Sequence, residues 1–553
     1  MIARPPHRAA SRSGQALKLL KLMLYCIVYL RCQPDAKLTR GGFITRFTLL
    51  FLGKIGALGE VVKPLVFTRA QLCVENYRID SRCTSQRATE RIERKHPGVL
   101  KMRLLLNSVI LLFLLTRMSV VWADEWPQWR GPQRDGVWRE TGIVEQLPKK
   151  LAYRWRVPIG GGFSGPAVVG DRVYVTDRIA PVDDLATQNE PFSDKHIRGG
   201  ERILCLDADT GRIIWQHSYP CPYNVSYPAG PRTTPTVHEG KVYSLGTMGD
   251  LLCLDAASGD LLWKKNYVAD FGTEMNAWGM AAAPLVDGQQ LVLLVGGKDN
   301  ACVVALDKDS GQEIWRSLNS VDPGYSAPVI IRAGGRRQLI VWNPVGLYGL
   351  NPETGAVYWQ QLDDLRMGHS VATPIFDASR RWLFVTSFFD GPTMMQLGTQ
   401  QPTASLLWKG DSRSELPNNT DGLHSVISTP VFQDGFIYGI CSYGQLRCLE
   451  AGTGKRVWET DAVTPKGRWA TAHLIRHGDR YVIFNEKGEL IFAQFSPQGY
   501  KELSRTSLIE PTLPVGRREV VWSHPAFAHR CVFVRNDREI VCVDLSDSSA
   551  VRK

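Results

Sequence analysis

From Arg202 onward, short apolar runs alternate with polar turns in one recurring pattern. An apolar strand leads into a turn of the form Leu-Asp-Ala-x-Thr/Ser-Gly, and a second strand follows that ends in Trp. The pattern reads LCLDADTGRIIW (Leu204–Trp215), LCLDAASGDLLW (Leu252–Trp263), VALDKDSGQEIW (Val304–Trp315), YGLNPETGAVYW (Tyr348–Trp359) and RCLEAGTGKRVW (Arg447–Trp458). The Trp residues are spaced by 48, 52, 44 and 99 residues, and Trp408 falls in the middle of the double interval. Apolar runs of this length, punctuated by turn residues, predict β-strands rather than helices. Gly211, Gly259, Gly311, Gly355 and Gly454 supply positive φ for the turn, and the Asp and Thr or Ser side chains before them bond turn amides. A Trp at fixed offset offers a large face to pack between neighbouring sheets.

A second marker precedes each copy: a small residue, usually followed closely by Pro, and then a hydrophobic hairpin. It begins at Ser164, Thr233, Ala282, Ser326, Ala372, Ser428, Ala470 and Ser523, eight starts in all. Each unit therefore supplies four antiparallel strands in about 48 residues, the dimension of a propeller blade. The last unit stops at Ile540–Leu545, one strand short, while an orphan strand, Tyr153–Val157, stands before the first hairpin. That orphan can complete the last blade and hide both open edges. The predicted fold is all-β, an eight-bladed β-propeller over 151–546 closed by its N-terminal strand, with 124–150 as a lead-in and 547–553 as a tail.

Charge separates this ring from what precedes it. The chain of 553 residues carries a net +12, but residues 1–101 hold 19 Lys/Arg against 6 Asp/Glu, and the rest hold 47 against 48. The propeller thus lacks the basic balance of a nucleic-acid-binding body. Met102-Arg103, the apolar run Leu104–Leu115 and the small Ala123 together have the form of a secretory signal, so residues 102–123 are expected to be cleaved, releasing a chain that starts at Asp124. Residues 1–101 are read as translated upstream sequence or, failing that, as a long leader or cytoplasmic tail. No Cys follows the apolar run closely, which gives no support to a lipid anchor. An exported, periplasmic or extracellular monomer without a lasting membrane anchor is expected.

The five quoted motifs resemble the pyrroloquinoline-quinone-like propeller family, and the stretch Trp126–Gly136 is similar to the opening of secreted planctomycete-type propellers. That resemblance implies one of three roles. Quinoprotein dehydrogenases oxidise alcohols or aldoses with the quinone and Ca²⁺, often beneath a vicinal Cys–Cys pair that this chain lacks. A second class is non-catalytic, as in the periplasmic propeller lipoprotein that assists outer-membrane protein assembly. The third, a sensor half of a membrane kinase, would bring kinase motifs that are absent from this sequence.

Propeller sites form where the loop before each innermost strand faces the central channel. Those loops offer Arg232, Trp278, Tyr325, Arg366, His369, His424, Arg468, Trp469 and Trp522 as candidates to stack and pair with a planar ligand or a peptide. Trp278, Trp469 and Trp522 can equally wedge between blades, and His369 and His424 can be loop histidines with no ligand. Glu274, Asn276 and Asp421 are the available oxygen ligands for Ca²⁺. Cys205, Cys253, Cys448 and Cys542 share one repeat position, a small-residue slot, whereas Cys221, Cys302, Cys441 and Cys531 could include a disulfide. The insertion Ile179–Arg202 and the loop Gly410–Val426 are the places for a partner-binding feature.

The expectation is an exported, non-catalytic binding or scaffold module. Its partner is a protein, a peptide or a small planar ligand at the channel mouth, with no nucleic acid and no cofactor. The alternative is a quinone- and Ca²⁺-dependent alcohol or aldose dehydrogenase acting through a carboxylate such as Glu274, or a degenerate quinone-binding sensor.

Overall fold

The computed structural model describes residues 125–181 and 197–547, all within the second of two units of the chain, Ser119–Lys553. The signal segment, residues 1–101 and most of the insertion Ile179–Arg202 lie outside the described residues. Eight four-stranded antiparallel sheets form the ring, joined by one extra two-stranded hairpin. Blade 1 consists of Ala167–Val169, Arg172–Ile179, Gly200–Asp207 and Ile213–Pro220. Blades 2 to 7 repeat that order, and blade 8 takes its outermost strand, Ala152–Pro158, from the start of the chain. That strand runs antiparallel to Glu539–Asp544, with Trp155 opposite Cys542. Eight blades and the closure by the N-terminal strand are as the repeat predicts.

The register explains the composition of the repeat. The small slot residue is the cross-strand partner of the Trp in its own blade: Cys205 faces Trp215, Cys253 faces Trp263, Ala305 faces Trp315, Gly349 faces Trp359 and Cys448 faces Trp458. A larger side chain there would compete with the indole for the same space; Met394, opposite Trp408, is the exception. Each outermost strand slips register beside this pair, leaving one residue, such as Ile214, unpaired. The same slip occurs in all eight blades. A bulge on an exposed edge twists the strand and hinders pairing with another chain.

Neighbouring blades are joined through the Trp indoles. Trp155 Nε1 donates to the Ala208 carbonyl at 2.8 Å, Trp215 to Ala256 at 3.1 Å, Trp263 to Lys308 at 3.2 Å and Trp408 to Ala451 at 2.9 Å. Each acceptor lies in the Leu-Asp turn of the next blade. Trp315 and Trp359 instead donate to Gln290 and Gln338 of their own blades. The turns themselves are held by their Asp. Asp207 Oδ1 accepts from the Thr210 amide and hydroxyl, both at 2.8 Å. These bonds hold its carboxyl below the usual range, the Thr210 hydroxyl contributing most.

All eight described Cys are free and buried, so the disulfide that Cys221, Cys302, Cys441 and Cys531 left open is not formed. Cys302 accepts from the Asn343 amide at 3.4 Å, and Cys441 from the His424 N–H at 3.3 Å. Burial raises the Cys302 thiol to about 11. Among the described residues no helix is long and apolar enough to cross a membrane.

Candidate functional site

The lead-in lies across one end of the channel. Trp126 and Val168 of blade 1 exchange both backbone hydrogen bonds at 2.9 Å, Val237 of blade 2 donates to the Pro127 carbonyl at 2.8 Å, and Trp138 donates to Arg476 of blade 7 at 2.8 Å. Arg134 reaches the Pro284 and Ala283 carbonyls of blade 3 at 2.9 and 3.1 Å. Trp129 Nε1 donates to the Thr373 hydroxyl of blade 5 at 2.9 Å. The rings of Trp126 and Trp138 pack on Phe527 of blade 8 at 5.6 and 4.8 Å. A segment of thirteen residues, Trp126–Trp138, therefore ties six of the eight blades together and floors the channel.

Above this floor is a cavity of about 220 Å³, walled by the rings of Trp129, Phe163, Tyr227, Trp278, Tyr325, His369, Trp469, His473, Trp522 and His524, with Arg232 and small aliphatic side chains between them. The rings touch one another. Tyr227 meets Trp469 at 6.1 Å and Trp522 at 5.7 Å; Trp278 meets Tyr325 at 5.8 Å and His369 at 5.0 Å. Local backbone sets these positions. The one-turn helix Tyr267–Phe271, capped by the Asn266 side chain, ends blade 2 with two aromatic side chains buried and hands the chain to the loop carrying Trp278. Tyr227, Met367 and Trp469 take left-handed φ of 53°, 55° and 63°, a conformation costly for bulky residues that clusters where side chains must be aimed. The extra hairpin, Leu513–Val515 with Arg518–Val520, packs on Tyr227, Trp469 and Trp522 from outside.

Of the nine mouth candidates, Arg232, Trp278, Tyr325, His369, Trp469 and Trp522 line the cavity. The other three stand outside it. Arg366 stacks on Phe389 at 5.3 Å on the exposed rim, and Arg468 stacks on Trp469 at 4.5 Å while paired with Glu415 at 2.8 Å. His424 is fully buried, its Nδ1 3.2 Å from the Phe388 carbonyl. Sequence reasoning missed Trp129, Tyr227, Phe163, His473 and His524. Trp129 was open to discovery, because an aromatic-rich stretch outside the repeat must bury its rings somewhere.

The electrostatics of the wall are close to neutral. Arg232 is the lining cation, and it is already committed. Nη1 donates to Gly230 at 2.6 Å, and Nη2 to the Ser226 and Tyr227 carbonyls at 2.7 and 2.8 Å. Burial pushes His369 and His473 down to about 4 and His524 well below its ordinary value, so all three are uncharged at neutral pH. No carboxylate lines the cavity among the described residues.

Two of the three proposed Ca²⁺ ligands already have other partners, and among the described residues no group of three His, Cys, Asp or Glu is placed to hold a metal. Glu274 is exposed and 3.6 Å from Lys298 Nζ, Asp421 Oδ1 accepts from the Gly422 N–H at 2.9 Å, and the Asn276 amide is buried with no partner. An anionic quinone with its Ca²⁺ needs free cations and a gathered oxygen set; these residues do not fit that group. The loop Gly410–Val426 is anchored from below. Buried Arg447 donates to Gly422 at 2.6 Å and to the Thr420 hydroxyl at 2.9 Å.

Comparison with known proteins agrees with the repeat. The family model described as outer membrane protein assembly factor BamB, PQQ_2, matches residues 150–300, 199–460 and 299–553 in overlapping stretches. The outer membrane protein assembly factor BamB of Yersinia pestis is 28% identical over 274 residues, spanning 39% of this chain and 67% of that protein. A europium-containing methanol dehydrogenase shares the fold at 14% identity and a TM-score of 0.51, over 76% of this chain and 89% of its own. The crystal structure of BamB from Moraxella catarrhalis aligns at 14% identity and a TM-score of 0.46, over 70% of this chain and 98% of its own. With three overlapping matches running from residue 150 to the last, this chain belongs to the PQQ_2 family of propeller-repeat proteins.

Proposed function

We propose that this protein is an exported, non-catalytic propeller that binds a polypeptide partner in the cell envelope through the aromatic mouth of its channel. The observation that carries this reading is the wall itself: seven Trp, Tyr and Phe rings around a cavity whose lining cation is bound to its own backbone. Aromatic rings that are uncharged and already ordered favour recognition of apolar groups. The relationship to an outer membrane assembly factor supports an envelope role. The apolar run at Leu104–Leu115 supports export, with processing between Ala123 and Asp124.

The competing reading is a quinone-dependent dehydrogenase. Purified protein mixed with pyrroloquinoline quinone and Ca²⁺ is assayed for dye reduction with a panel of alcohols and aldoses. No quinone binding and no turnover are expected. Tight binding with turnover overturns the scaffold role, and binding without turnover makes the protein a quinone sensor.

A further inference from the structure

The cavity is floored at one end and lined mainly by aromatic and aliphatic side chains, and these two properties together define what can enter. Trp126–Trp138 crosses the channel, so an occupant comes from the loop face and cannot thread through. Its volume of about 220 Å³ compares with roughly 150 Å³ for an apolar cavity that takes one benzene. One ring-sized group fits.

Charge narrows the choice further. Arg232 disfavours a cation, and three of its five N–H donors are already held by backbone carbonyls. Of the rim cations, Arg468 is paired with Glu415 and Arg518 with Glu486, both at 2.8 Å, while Arg366 stacks on Phe389. The hydroxyl of Thr373 is taken by Trp129, and the His473 imidazole faces the Trp522 carbonyl at 3.3 Å.

The geometry points to a blind socket in which one uncharged aromatic side chain of a polypeptide partner docks end-on, against the Trp129 floor and between the rings of Tyr227, Trp278, Trp469 and Trp522. This inference rests on the polypeptide-partner reading above. A rigid aromatic lining loses little entropy on binding and buries a ring's full area, the usual basis of an anchor residue.

The test uses the full chain and three capped pentapeptides of otherwise equal sequence, with Trp, Leu or Glu at the centre, titrated by calorimetry. The Trp peptide is expected to bind at least about tenfold more tightly than the Glu peptide, with Leu between. Ala281 and Val426 line the cavity; Ala281→Phe fills it and is expected to abolish the difference without shifting Tm, and Val426→Trp serves the same purpose should Ala281→Phe melt early. Equal binding of all three peptides overturns the socket. Trp-peptide binding that both filling variants leave untouched also overturns it, while the polypeptide reading survives. The converse outcome is that free N-acetyl-tryptophanamide binds, and is blocked by Ala281→Phe, while none of the peptides does. The socket's preference for a ring would then hold, and the polypeptide partner would fall.

Discussion

Gly259 of blade 2 lies beneath the indole of Trp215 of blade 1, so close that a Cβ at residue 259 would stand 2.6 Å from the ring. The glycine also has φ of 78°. Two demands meet at one position, a left-handed turn and the approach of the preceding blade's Trp. The same pairing joins Trp155 with Gly211, Trp263 with Gly311, Trp315 with Gly355 and Trp408 with Gly454.

The two demands can be separated by mutation. Gly240 has φ of 76° but open space around it, so Gly240→Ala is expected to cost about 1 kcal/mol, the backbone strain alone. Gly259→Ala adds overpacking against the indole and is expected to cost about 2–4 kcal/mol. Urea unfolding of both variants checks this, and equal losses would show that the Trp contact contributes nothing.

The lead-in is expected to be a major source of stability. Trp126 is 1% exposed and packed on Phe527, so Trp126→Ala should cost roughly 3–5 kcal/mol. Trp129→Phe keeps a ring on the floor but loses the bond to Thr373, for a loss of about 1 kcal/mol. Chemical denaturation measures both.

Acid is expected to destabilise the protein through its buried imidazoles. Burial first, and Arg468 second, depress His369 to about 4; burial depresses His473 to about 4. In the unfolded chain these groups titrate near 6.5. Between about pH 6.5 and pH 4 the unfolded state binds more protons, so stability falls as pH drops through this window and is unaffected by these groups above it. Tm measured from pH 7.5 to pH 4.5 should decline, and His369→Phe should make the decline shallower. An unchanged slope would remove His369 from the account.

The eight propeller thiols are expected to resist modification in the native state, because all are buried. Peptide mapping after iodoacetamide treatment should find them alkylated only when urea is added before the reagent. Protection that persists in urea without reductant would reveal a disulfide.

Much of this fold was legible because the repeat writes local geometry directly into sequence. Gly, Asp and Trp recur where the turn, its amides and the blade interface need them, and counting the hairpins closed the ring. The site was legible only in part. Loop positions were readable, and six of nine candidates line the cavity, but whether a side chain turns inward depends on partners far away in sequence. His424 is drawn under its loop by the Phe388 carbonyl, and Arg468 is held on the rim by Glu415. Trp129 meets Thr373 across 244 residues, a contact that no local pattern reports. The loop before blade 6 likewise keeps its shape through distant partners, Arg447 bonding Thr420 and Gly422 and Ser442 bonding Glu415.

The strand Ala152–Pro158 pairs with Glu539–Asp544, and the ion pair between Arg154 and Asp544 at 3.0 Å bridges 390 residues. A chain emerging from its N-terminus exposes this strand first and must leave it unmatched until the last segment arrives. Closure is thus the most non-local step of folding, slow and late. Until then two sticky edges are free, and any block on the final few residues leaves the ring open. A shortened chain lacking 539–544 would leave Ala152–Pro158 and Cys531–Arg535 without the strand that joins them, making the C-terminus a checkpoint on completeness for the entire assembly line of blades.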